Sequence, residues 1–199
     1  DKALKFASTN NDYISLIENG VKLYNEGLYD TSLDFLLKAI QISENKISIE
    51  DKINIQGYIS GLYIIFNDFK KSLEYTTANK KLIEKYYGVE SIEGIQIRNT
   101  LGGLFCSAGE YSEAEKVLLY NLEIAEKTLN KNNPNYAKTL DNLADLYLET
   151  DKYDLYQFYF KKYFKISKKV LNKNTRDYLN LLNSKLKFDR YNQVANIEE

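Results

Sequence analysis

The sequence predicts an all-α chain of repeated antiparallel helix pairs, and three observations carry that expectation. Apolar residues recur at helical spacing along the whole chain, and no stretch alternates strictly between apolar and polar residues as a half-buried strand does. Proline occurs once in 199 residues. The chain also matches itself when shifted by 42 residues, the separation of Tyr111 from Tyr153. In that register Leu101 meets Leu143, Leu104 meets Leu146, Phe105 meets Tyr147 and Leu118 meets Phe160, and the tetrapeptide Leu129 to Asn132 meets an identical one at Leu171 to Asn174. One copy earlier, Ile59, Leu62, Tyr63 and Phe69 meet Leu101, Leu104, Phe105 and Tyr111. The first copy is offset by 40, from Tyr29 to Phe69.

Taken in order, helices are expected near 12–26 and 30–46, 51–66 and 69–86, 92–108 and 112–129, 134–150 and 154–171, with a last one at 175–192. The break inside each pair falls at Gly27, Asn67, Gly109 and Asp151. These residue types enter the left-handed conformation that ends a helix, glycine because it lacks a Cβ, Asn and Asp because their short side chains bond locally. Ser112 with Glu115 and Asp154 with Gln157 stand at capping spacing. Asn133 before Pro134 marks another start, since proline at a first helical position forfeits no hydrogen bond. The repeats run near 13–49, 50–90, 91–132 and 133–173, and the helix within 174–192 caps the stack or opens a further copy. A helix pair cannot bury its own apolar stripe, so 1–199 reads as one domain of stacked pairs.

Composition restricts function. Lys and Arg total 27 against 28 Asp and Glu, a net charge of −1, so no basic field exists to hold a nucleic acid backbone or an anionic membrane. No apolar run approaches the roughly 20 residues that cross a bilayer. A single cysteine, Cys106, excludes an internal disulfide and fits the cytoplasm as location. Methionine is absent even at residue 1, so the chain is expected to be a piece of a larger or processed protein.

The chain has no histidine, which removes Ser/His/Asp and Cys/His nucleophiles and histidine-based metal sites. Gly102-Gly103 lies within a helical pattern with no following Lys-Ser or Lys-Thr, unlike a phosphate loop. Asp141 and Asp145, one turn apart, are weighed as an acid/base or metal pair and read instead as a solvated acidic surface. The tyrosines are read as core and helix contacts rather than base-stacking platforms. No enzyme and no cofactor are expected.

Leu101-Gly102 with Phe105, Leu143-Ala144 with Tyr147, and Gly109, Tyr111 and Ala114 across the turn resemble the tetratricopeptide repeat family. The long spacing and the segment Leu129 to Pro134 are similar to its kinesin-light-chain-like subtype. Tyr156, where a small residue is expected, and Asn19, where Leu is usual, depart from the pattern. The resemblance implies a right-handed superhelical solenoid of about four helix pairs and a capping helix, binding a protein or peptide along a concave face made by the first helix of each pair. Carried over, that groove comprises Ile17, Val21 and Tyr24, then Tyr58, Gly61 and Ile65, then Asn99, Gly103 and Ser107, then Lys138, Asp141, Asn142, Asp145 and Glu149. It is apolar and aromatic in its first half, small and polar in the middle, and acidic at its far end. Gly61 and Gly103 serve either close approach of a bound segment or packing between helices. Lys138 and Arg98 are offset by Asp141 and Asp145, so a clamp for a terminal carboxylate is not expected. The expected guest is a segment apolar at one end and basic at the other, held by an adaptor or regulatory module; the alternative is a peptide-sensing regulator of bacterial signalling.

Overall fold

The computed structural model describes residues 13–43 and 46–170, and the helix expected at 175–192 lies outside them. Among the described residues there are eight helices and no strand: α1 Tyr13–Asn25, α2 Tyr29–Ser43, α3 Ile49–Ile65, α4 Phe69–Tyr86, α5 Ile92–Ser107, α6 Tyr111–Thr128, α7 Pro134–Glu149 and α8 Tyr153–Val170. None is long and apolar enough to cross a membrane. By its contacts the chain divides into two compact units, Asp1–Leu118 and Leu119–Glu199.

Each pair turns the same way. Gly27, Asn67, Gly109 and Asp151 have φ of 78°, 57°, 75° and 57°, so all four positions read from the sequence are left-handed. Around each, two backbone bonds close the first helix. Leu28 N–H donates to Leu23 O at 2.9 Å and Gly27 N–H to Tyr24 O at 3.1 Å; Asp68 and Asn67, Glu110 and Gly109, and Lys152 and Asp151 repeat the arrangement.

Three of the four second helices begin one residue before the expected starts, at Tyr29, Tyr111 and Tyr153, and α4 begins at Phe69 as expected. The carbonyls of Leu28, Asp68, Glu110 and Lys152 accept the first helical bonds, which places Ser112 and Asp154 inside α6 and α8, beyond any capping role. The residue that finishes the turn also opens the next helix; at α4 that residue, Asp68, caps with its side chain as well, its Oδ1 accepting from Lys71 N–H at 3.1 Å, whereas at α6 and α8 the side chains expected to cap take no part in the start. Asn133 does cap α7, its Oδ1 accepting from Asn135 N–H at 2.8 Å with Pro134 following.

In the first unit α1 packs on α2, α2 on α3, α3 on α4 and α4 on α5. Its core gathers Leu36, Ile55, Ile59, Leu62 and Tyr63, with Leu16, Phe35 and Ala39 beside it. Close approach within a pair depends on small residues twelve apart. Ser32 Oγ donates to Gly20 O at 2.8 Å, and the Ser60 hydroxyl meets those of Ser72 and Thr76 at 2.9 and 2.6 Å. A Cβ on Gly102 would collide with Leu118.

In the second unit α7 packs on α8 around Leu140, Leu143, Ala144, Leu146 and Tyr147. Tyr156 occupies the small-residue position opposite Ala144 and is buried, stacked on Phe160 at 5.5 Å. The departure in sequence is thus a local change of packing.

Candidate functional site

The residues singled out for a groove fall into both units. In the first unit, Ile17, Val21, Tyr24 and Tyr58 are half-buried against the core. The Tyr24 and Tyr58 rings meet edge to face at 5.1 Å, and a Cβ on Gly61 would lie 3.7 Å from Tyr24 Oη. The bare backbone at Gly61 is therefore faced by the protein's own tyrosine, which answers for packing at this glycine. Gly103 is different: a Cβ there would meet nothing within 4 Å. Ser107 Oγ donates to Gly103 O at 3.1 Å, the ordinary back-bond of a helical serine. Ile65 is 43 % exposed at the end of α3, next to the exposed Ile64 and Phe66. Asn99 is nearly buried and already engaged within the protein.

Arg98 is not a surface cation. It is 1 % exposed, with Nη1 2.7 Å from Glu84 Oε1 and Nη2 donating to Val89 O at 2.7 Å. Lys80 reaches the other oxygen of Glu84 at 2.9 Å. Arg98 thus ties α4 to α5 and pins the connecting loop, where Gly88 is left-handed and Ser91 Oγ caps α5 by accepting from Gly94 N–H. Its place as a groove cation is withdrawn, because a guanidinium held on both sides in the interior has no free donors to spare for a guest.

In the second unit, Lys138 Nζ lies 3.0 Å from Asp141 Oδ2 across one turn of α7. Asp145 and Glu149 continue that face and are exposed, while Asn142 is nearly buried and engaged. Burial of the Asp145 carboxyl first, then repulsion from Asp141, raises it to about 6. Surface access together with protein crowding describes a carboxylate that water reaches from one side, and the access means that part of the burial effect is screened.

Two residues of α8 lie within reach of these carboxylates and were not singled out from the sequence. Burial pushes the Tyr156 phenol up to about 12, with Asp145 adding to it, and the Tyr156 hydroxyl is buried with no hydrogen-bond partner. Tyr163 is likewise raised to about 12 by burial, then by Asp141 and Asp145. The signal available was Tyr156 standing in a small-residue position, which spacing alone reads as a packing fault. Among the described residues no group of three or more His, Cys, Asp or Glu side chains is placed to hold a metal.

Comparison with known proteins follows the same lines. The sequence matches the tetratricopeptide repeat family over residues 95–169. Residues 95–169 are tetratricopeptide repeats. No curated protein sequence matches the chain. Among solved structures, a kinesin light chain with nearly identical tetratricopeptide-like repeats from Podosopora anserina superposes with a TM-score of 0.71 at 17% identity, covering 79% of this chain and 76% of that one. BtubC (BKLC) from P. vanneervenii gives 0.66 at 17% identity, covering 86% and 72%. A Rap protein complexed with Competence and Sporulation Factor gives 0.67 at 16% identity, covering 92% of this chain but 51% of its own. The tetratricopeptide fold therefore extends well beyond the matched segment, and the kinesin-light-chain repeats agree with the long spacing. It is a fold of protein-interaction modules.

Proposed function

We propose that this chain binds segments of other proteins on the exposed faces of its first helices, as an adaptor or regulatory module without catalytic chemistry. The observation that carries the reading is that these helices keep surface their own core does not use. Gly103 has open space above it, Ile65 is exposed, and Asp145 and Glu149 stand at the surface of α7. On the first unit that surface takes apolar side chains close to bare backbone. On the second it takes Lys or Arg, whose positive charge relieves the repulsion between Asp141 and Asp145 and offers the buried Tyr156 hydroxyl a donor.

The test is titration of the chain against a fluorescein-labelled peptide alternating Lys and Leu. Reversing both charges, Asp141→Lys with Asp145→Lys, is expected to weaken binding about ten-fold or more, equivalent to about 1.4 kcal/mol. Unchanged affinity removes the acidic face of α7 from the reading.

A second reading, a peptide-sensing regulator, is favoured by one observation: a solved neighbour of the same fold is a Rap protein complexed with a signalling factor. Peptide-dependent change in the radius of gyration, measured by scattering, supports it. Binding without such change favours the adaptor.

A further inference from the structure

α4 buries Ser72, Thr76, Asn79 and Ile83, which fall on one side of the helix. The opposite side carries Lys70, Lys81 and Lys85, and with Lys52 of α3 these border a surface depression of about 720 Å³. Glu74 is the lone carboxylate in the lining. Other lysines of α4 are neutralised, Lys71 by Asp68 at 3.1 Å and Lys80 by Glu84 at 2.9 Å. Among the described residues Lys52, Lys70, Lys81 and Lys85 take part in no ion pair. In a chain whose net charge is −1, this is a local concentration of unmatched positive charge. Leu73 and Leu82 add apolar surface to the same lining.

A second observation points to a guest. Gln56 borders the depression, is 8 % exposed, and its Oε1 has no hydrogen-bond partner. A buried amide oxygen without a donor is rare in folded proteins and marks where a donor belongs. The ammonium groups ask for carboxylates, the leucines for apolar side chains, and the amide for an N–H. A peptide in extended conformation supplies all three, because its backbone N–H groups are unspent and its side chains alternate.

We propose that the depression between α3 and α4 is a docking site for an extended acidic segment of a partner protein, distinct from the first-helix surfaces described above. From Lys70 to Lys85 the helix rises about 22 Å, the reach of roughly seven extended residues. Nucleic acid fits less well, since no aromatic ring lines the depression to stack on bases and phosphodiesters gain nothing from leucine.

The intact chain is titrated by fluorescence anisotropy against a labelled heptapeptide alternating Glu and Leu, its counterpart with Lys in place of Glu, and an oligothymidine of matched charge. The acidic peptide is expected to bind, and the variant Lys70→Glu, Lys81→Glu, Lys85→Glu to weaken it at least about ten-fold with an unchanged circular dichroism spectrum. A control carrying the same charge change elsewhere, Lys22→Glu, Lys116→Glu, Lys127→Glu, should stay within about two-fold. Gln56→Leu should weaken binding without lowering Tm; unchanged binding removes the amide from the site. The proposal is overturned if the acidic peptide does not bind, if the control weakens it equally, or if oligothymidine binds at least as tightly. Asp141→Lys with Asp145→Lys should leave acidic-peptide binding intact, so failure on α7 and failure on α4 are read separately.

Discussion

Gly102 and Gly103 are neighbours in one helix and should answer the same added methyl group in opposite ways. At Gly102 a Cβ meets Leu118, which is fully buried, so Gly102→Ala is expected to destabilise by about 1–3 kcal/mol in urea unfolding. At Gly103 there is nothing to meet, and Gly103→Ala should stabilise by up to about 1 kcal/mol through helix propensity. If a guest's backbone approaches α5 there, the same variant should bind it more weakly although it is more stable. The sequence showed two adjacent glycines; which one packs and which is open depended on the rotation of α5 against α6, which periodicity does not resolve. Asp145 was legible as acidic surface, but Tyr156 and Tyr163, the phenols its charge reaches, come from another helix. With its carboxyl raised to about 6 from an ordinary value of 3.8, the native state holds a proton the unfolded chain releases. Stability should therefore fall as pH rises from about 4 to above 6, by no more than about 1 kcal/mol once solvent screening is allowed for, and Asp145→Asn should flatten that slope. Urea unfolding at pH 4.5 and pH 7.5 checks it.

The turns are where sequence and structure agree most closely, because a left-handed residue is required by local sterics alone. Asn67 and Asp151 adopt that conformation with a Cβ, both at φ 57°, at a cost glycine avoids. Asn67→Gly should stabilise by roughly 0.5–1 kcal/mol, and Gly109→Ala should destabilise by about 1 kcal/mol, both measured by thermal unfolding. The starts of α6 and α8 were misread by the same local logic. Ser112 and Asp154 have the chemistry of caps, but the preceding turn had already committed the backbone to helix at Tyr111 and Tyr153. Buried polar contacts between elements were not legible at all. Asn79 donates to Ile53 O at 3.0 Å within its own pair, whereas Asn121, 42 residues later, reaches Thr139 across to the next helix at 3.3 Å. Equivalent positions in the repeat thus serve different neighbours.

At the scale of the molecule, identity of 16–17% to solved structures with TM-scores of 0.66–0.71 shows how little of the sequence the architecture needs. The apolar period, the small residues twelve apart and the left-handed breaks suffice, which is why the fold was readable while the guest was not. In such arrays each helix leans chiefly on its neighbours, so damage should stay local. Arg98 offers the test: Arg98→Met leaves Glu84 with Lys80 alone and Val89 O without its donor, and is expected to cost about 1–3 kcal/mol. Hydrogen exchange should show protection lost first in α4 and α5 and last in α1 and α2. Uniform loss across the first unit would mean it unfolds as one block.

The corners carry a consequence for how such a chain grows. Each is closed by its own backbone bonds and one left-handed residue, with nothing borrowed from distant parts of the sequence. A stretch copied from Gly109 to the residue before Asp151 brings its hinge along with it. Tandem duplication at that joint yields a longer protein that already knows how to bend, and natural selection is left to work on the faces alone.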